Sequence, residues 1–132
     1  MPKITVLLAA TLVAAGLSAC SATTDSADLG PLQIRHTAVG AVLTDQHGMT
    51  LYTFKNDPRG GSACYDRCAR KWTPMEAPAG MEATGNLSVI ERKDGIRQLA
   101  YDGKALYHWE KDKAPGDTKG HDLGDVWYSA RP

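Results

Sequence analysis

The sequence predicts an all-β fold: one domain of two duplicated antiparallel meanders related by approximate two-fold symmetry. Three observations carry that prediction. The chain repeats itself at a spacing of 55 residues. Each copy holds short β-rich runs punctuated by glycine turns. The length of 132 residues and the 42% apolar content suit one globular unit.

The repeat needs no insertion to align. Gly40 meets Gly95, Gly48 meets Gly103, Leu51 meets Leu106, Tyr52 meets Tyr107 and Phe54 meets Trp109. Asp57 meets Asp112, Gly61 meets Gly116 and Trp72 meets Trp127, while upstream Leu32 meets Leu87 and Ile34 meets Val89. Glycine, aromatic and acidic residues seldom align in this order by chance, so the chain is a duplication. Repeat 1 covers about 31–74 and repeat 2 about 86–129, joined by a Pro/Ala/Gly-rich linker at 75–85.

In the second copy, β-rich runs at Leu87–Arg92, Ile96–Tyr101 and Ala105–Trp109 are separated by Lys93-Asp94-Gly95 and Asp102-Gly103. Asp-Gly between two such runs predicts a hairpin, because a type I′ turn needs positive φ at both central positions. The first copy offers Leu32–Val39, Ala41–Asp45 and Thr50–Phe54, with weaker turn chemistry at Gln46-His47-Gly48. Each meander is expected to continue into a Gly-rich loop and a closing Trp segment.

Residues two apart in a strand share a face. Tyr52 and Phe54, like Tyr107 and Trp109, therefore lie side by side, with Trp72 and Trp127 expected to cover them. The main expectation for these six rings is a core; the alternative is an aromatic cleft for a sugar, peptide or planar ligand. Asp57 and Asp112 sit just past the strand ends, where a carboxylate accepts backbone N–H groups and fixes a loop. The alternative for that pair is an acid/base site, if the symmetry axis brings the two together.

Cys64 and Cys68 fall in a segment predicted as a short helix of about two turns with Ser62 as N-cap. Cysteines four apart on a helix lie about 6 Å apart at Cα, within disulfide range. The spacing fits neither the Cys-x-x-Cys of a redox site nor the Cys-x-x-Cys-His of a c-type haem.

The amino terminus reads as an export signal: Lys3, then an apolar run from Ile4 to Gly16, too short to span a bilayer core. It ends in Leu17-Ser18-Ala19-Cys20, which resembles the bacterial lipobox, so residues 1–19 are expected to be removed and Cys20 lipidated. Two acyl chains suffice for stable anchoring. Residues 20–30 then form a polar tether. Export also favours an oxidising compartment and hence a Cys64–Cys68 disulfide. Ser21, where many retained lipoproteins carry Asp, implies by resemblance an outer-membrane destination on the periplasmic face. In a host without one, the outer face of the cytoplasmic membrane takes its place.

Fifteen Lys+Arg balance fifteen Asp+Glu, which argues against general nucleic-acid binding. His36, His47, His108 and His121 show no metal-ligand spacing. Asp117 and Asp122 lie in a glycine-containing loop without the EF-hand pattern. Met75 and Met81 are thin support for copper. No catalytic residue, metal ligand or cofactor is assigned.

The strings Gly-Met-Thr-Leu-Tyr-Thr-Phe-Lys-Asn-Asp (48–57) and Gly-Lys-Ala-Leu-Tyr-His-Trp-Glu-Lys-Asp (103–112) carry a family resemblance. They resemble the bacterial secreted-repeat lipoproteins defined by a Tyr-x-(Phe/Trp/Tyr)-x-x-Asp motif, a family of unassigned function. The likeness spans 31–132 and includes Cys-x-x-x-Cys with its following Trp, and Pro-Gly-Asp at 115–117. Trp127-Tyr-Ser lacks the proline of Trp72-Thr-Pro. The resemblance implies an address in the cell envelope and no activity. The expectation is a lipid-anchored, non-catalytic module that meets the membrane through its anchor and an envelope protein, glycan or peptide through its loops. Its alternatives are metal or redox handling by Cys64/Cys68 or Met/His ligands, and hydrolysis by Asp57 and Asp112.

Overall fold

The computed structural model describes residues 29–132, with Thr11, Ala15 and Gly16. Most of the expected signal, Cys20 and most of the expected tether lie outside the described residues. The tether stops short of Gly30: Leu29 packs against the core, and its carbonyl accepts the Leu32 N–H at 2.8 Å.

The described chain is all-β and antiparallel, with one five-residue helix. Strands β1 (Gln33–Thr37) and β2 (Gly40–Thr44) form a hairpin. Strands β5 (Leu87–Glu91), β6 (Arg97–Tyr101) and β7 (Lys104–Ala105) form the second-copy meander. Asp102 and Gly103 join β6 to β7 with φ of 50° and 75°, the two positive values that a type I′ turn demands.

The third run of each copy does not stay in its meander. In copy one only Thr50 bridges back to Thr44 before the chain enters β3 (Tyr52–Phe54). In copy two the run breaks at Leu106, and β8 (Tyr107–Trp109) leaves the meander. Both join a four-stranded central sheet of order β4-β8-β3-β9, where β4 is Trp72–Pro74 and β9 is Trp127–Ser129.

That order exchanges the repeats. The Trp strand of copy one pairs with the motif strand of copy two, Trp72 opposite Trp109. The Trp strand of copy two pairs with the motif strand of copy one, Trp127 opposite Phe54. Tyr52 stands opposite Tyr107 at the centre, so the approximate two-fold axis passes between them. Each repeat thus completes the other's half of the sheet.

The differing third residue of the Trp strands follows from their place at the two edges. Proline lacks an N–H and is confined to sheet edges. At Pro74 the outward-facing donor is simply missing; at Ser129 it is used, donating to His121 Nδ1 at 3.1 Å.

The sheet divides the core by residue type. One cluster is aliphatic and pairs off by symmetry: Leu32 with Leu87, Leu51 with Leu106, Met75 with Ala130. Leu43 and Leu99 also share it, although they are 56 residues apart. Copy one has a shorter first hairpin and a turn longer by one residue, so the slip heals by Leu51. The other cluster holds Tyr52, Tyr107 and the three tryptophans. The linker is partly built in: Met75 is buried, and Ala77 donates its N–H to the Arg97 carbonyl at 2.8 Å.

The helix α1 (Arg67–Lys71) is shorter than expected and begins after Asp66, not at Ser62. Ser62 Oγ instead accepts the Cys64 N–H at 3.2 Å and an Arg92 N–H at 2.7 Å. That leaves it unable to cap a helix starting five residues on.

Candidate functional site

The motif residues come together at the symmetry axis. Phe54, Trp127, Trp72 and Trp109 form a continuous stack, with ring centroids 4.3, 3.8 and 4.1 Å apart in that order. Tyr52 meets Trp72 edge-on, and Tyr107 meets Trp127 the same way. Both tyrosines are fully buried and Trp109, the most open tryptophan, is 9% exposed. The tyrosines and tryptophans are core, and of the six rings only the half-buried Phe54, at one end of the stack, reaches a surface depression. Gly120 is required here, because a Cβ at that position would lie 2.7 Å from Trp72.

The tyrosine hydroxyls explain why an aspartate follows five residues later in each string. Tyr52 donates to Asp112 Oδ2 at 2.5 Å, and Tyr107 donates to Asp57 Oδ2 at 2.7 Å. Each aspartate serves the tyrosine of the other copy. The remaining oxygens accept backbone N–H groups, Asp57 from Ala63 at 2.7 Å and Asp112 from Lys119 at 3.0 Å. All four carboxylate oxygens are engaged in fixing the rings and the loops. Burial holds both phenols well above their ordinary pKa, and the carboxylate beside each adds to the shift. Burial also raises Asp57, outweighing the stabilising donors Ala63 and Tyr107.

Arg92 is a residue that strand-end reasoning leaves on the surface, yet it is 4% exposed. Its guanidinium grips Asp94 at 2.8 Å, Gln98 Oε1 at 3.0 Å and the Cys64 carbonyl at 2.7 Å, and lies over the Tyr65 ring. Through Ser62, which meets the Tyr107 hydroxyl at 2.7 Å, it ties the cysteine loop to the motif. Asp94, hydrogen-bonded by Arg92, is held below the usual carboxylate range. The same loop carries the Cys64–Cys68 disulfide, with Cα atoms 5.2 Å apart.

The other sequence candidates are dispersed. His36 and His47 are exposed, His121 accepts from Ser129, and His108 Nε2 lies 2.9 Å from Asp45 Oδ2. Asp117 is occupied by the Lys113 and Ala114 N–H groups, which lower its pKa. Met75 lies in the aliphatic core, with Met81 packed against it. Among the described residues, no group of three or more His, Cys, Asp or Glu is placed to hold a metal ion. No helix among them is long and apolar enough to cross a membrane.

Among the described residues, two depressions stand out, and they occupy symmetry-related places. The larger, about 630 Å³, opens where β3 and β9 meet the β6–β7 turn, between Phe54, Lys55, Arg59, Lys104, Tyr128 and Arg131. The smaller, about 290 Å³, lies beside β8 and β4, between Asp45, His47, Met75, Glu76 and His108. A shift of 55 residues carries Thr53 onto His108, Ala130 onto Met75, Asp102 onto His47 and Arg131 onto Glu76. The Asp45–His108 pair spans the smaller site; Thr53 makes no side-chain hydrogen bond among the described residues.

The chain matches the model of a family described as a secreted repeat of unknown function, twice, over residues 24–76 and 88–131. No curated protein matches it, and no solved structure does. Each match covers one of the two repeats, and the chain belongs to this secreted-repeat family.

Proposed function

We propose that this secreted-repeat protein is a lipid-anchored lipoprotein of the bacterial envelope, and that its domain is a non-catalytic binding module. Cys20 carries the lipid, and a short polar tether leads to the fold at Leu29. The anchor lies on the periplasmic face of the outer membrane where the host has one, and otherwise on the outer face of the cytoplasmic membrane. The partner is an envelope protein, glycan or peptide, met at the larger groove.

One observation carries the binding reading. The duplication persists through the aromatic stack and the Tyr–Asp pairs, but breaks at the charged side chains around the larger depression. Positions that only hold the fold together have no reason to diverge so differently from their neighbours. Loops borne on a rigid scaffold are where recognition is placed.

The anchor is tested by labelling cells with radioactive palmitate: wild type should be labelled and Cys20→Ser released in soluble form. An unlabelled wild-type protein contradicts the anchor. The groove is tested on Cys20→Ser by NMR titration with solubilised envelope material. Amide shifts confined to 53–59, 102–104 and 128–131 support it. Shifts centred on Asp45 and His108, or none, contradict it.

A further inference from the structure

We infer that the larger groove takes an anionic ligand bearing two or more carboxylate or phosphate groups, with a flat or apolar part against Tyr128. The inference rests on the groove being the recognition surface.

Four cationic side chains face the groove: Lys55, Arg59, Lys104 and Arg131. Among the described residues, Lys55, Arg59 and Lys104 have side chains without a hydrogen bond or ion pair, and Arg131 spends one N–H on the Ala41 carbonyl. Two acids, Asp57 and Asp102, also line the groove, so the four cations outnumber the anions by two.

The symmetry mates show that the charge is particular to this side. Shifted by 55 residues, Lys55 becomes Glu110, Arg59 becomes Ala114, Lys104 faces Met49 and Arg131 faces Glu76. All four positions hold a cation on this side and none of the four matching residues is cationic; of those mates, Glu76 lines the smaller depression. A chain of zero net charge thus places four of its fifteen Lys and Arg residues around one concavity, where low-dielectric walls focus the field on an entering anion.

Arg59 is also held in place. Its side chain lies so close to Gly103 that a Cβ there would sit 3.1 Å away, and Gly60 donates its N–H to the Gly103 carbonyl at 2.8 Å. A guanidinium positioned in this way loses little freedom on gripping a carboxylate or phosphate with two N–H groups. The half-buried Tyr128 ring supplies an apolar wall.

The test is calorimetric titration of the Cys20→Ser protein, disulfide intact, with citrate and with tripolyphosphate, each at low and high salt. Binding that weakens with salt supports the inference. Binding of citrate alone assigns carboxylates, of tripolyphosphate alone phosphates, and of both a site that reads charge. Lys55→Glu with Arg131→Glu, the residues found on the mate side, should weaken binding about tenfold or more. Lys104→Glu is an independent second variant, and Glu110→Lys should leave affinity unchanged. All four positions are exposed, so tryptophan fluorescence should report native packing in each variant. Binding of neither probe, or binding that survives the reversals, overturns the inference. If envelope material still shifts the groove amides in that event, the groove reading stands and only the anionic ligand falls.

Discussion

The larger groove and the smaller depression occupy symmetry-related places, and the four cations around the first have no cationic counterparts, while the stack between them hardly differs at all. The contrast comes from how the contacts are shared. Trp72 touches Trp109 of the other copy, Trp127 across the axis and Tyr52 of its own copy. A change there disturbs both halves together. Lys55 and Glu110 touch nothing of the kind, so each was free to follow its own ligand or its absence. Duplication is retained where contacts are reciprocal and lost where a residue faces only solvent.

The largest expected effect tests that reciprocity. Trp72→Ala and Trp127→Ala should each cost about 3–5 kcal/mol in denaturant unfolding, because each removes the same ring from the same stack. Two similar values support a shared stack; a severalfold inequality breaks the symmetry.

Alkaline unfolding comes next. Tyr52 and Tyr107 have folded-state pKa values above their unfolded value near 10, so the folded protein holds their protons longer. The stability they contribute is complete below pH 10 and is lost as pH rises beyond it, at up to about 1.4 kcal/mol per pH unit for each ring. In an absorbance titration, Tyr52 and Tyr107 should ionise only as the protein unfolds.

Replacing the acids should cost about 1–3 kcal/mol, since each substitution strands a buried hydroxyl. Asp112→Ala should cost more than Asp57→Ala, because Asp112 is the more buried of the two. The smallest effect concerns the smaller depression. His108→Thr installs the residue found at position 53; it should change stability by less than about 1 kcal/mol. It should also open the site beside Asp45, seen as faster amide exchange at His47 and Met49, whose N–H groups Asp45 accepts.

Much of this architecture was legible in the sequence. The 55-residue spacing, the Asp102-Gly103 turn and the aromatic faces of β3 and β8 all follow from local chemistry. The exchange of Trp strands was not, because hydrogen bonding between Trp72 and Trp109 leaves no mark on either segment. Arg92 was equally hidden. A strand-end arginine reads as solvated, and its counterpart Thr37 offers no repeat to flag it. The charge reversal at the grooves was present in the alignment of Lys55 on Glu110 and Arg131 on Glu76, and needed only the differences to be read with the identities. Its meaning depended on learning that Lys55 and Arg131 line one concavity with Arg59 and Lys104.

The central claim is that the Tyr-x-(Phe/Trp)-x-x-Asp string works across copies, each tyrosine bound to the other copy's aspartate. Double-mutant cycles with Tyr→Phe and Asp→Asn test it most directly. Tyr52 with Asp112 should couple by about 0.5–3 kcal/mol, and Tyr52 with Asp57 by less than about 0.5 kcal/mol. Coupling confined to the pair within one string would contradict the exchange.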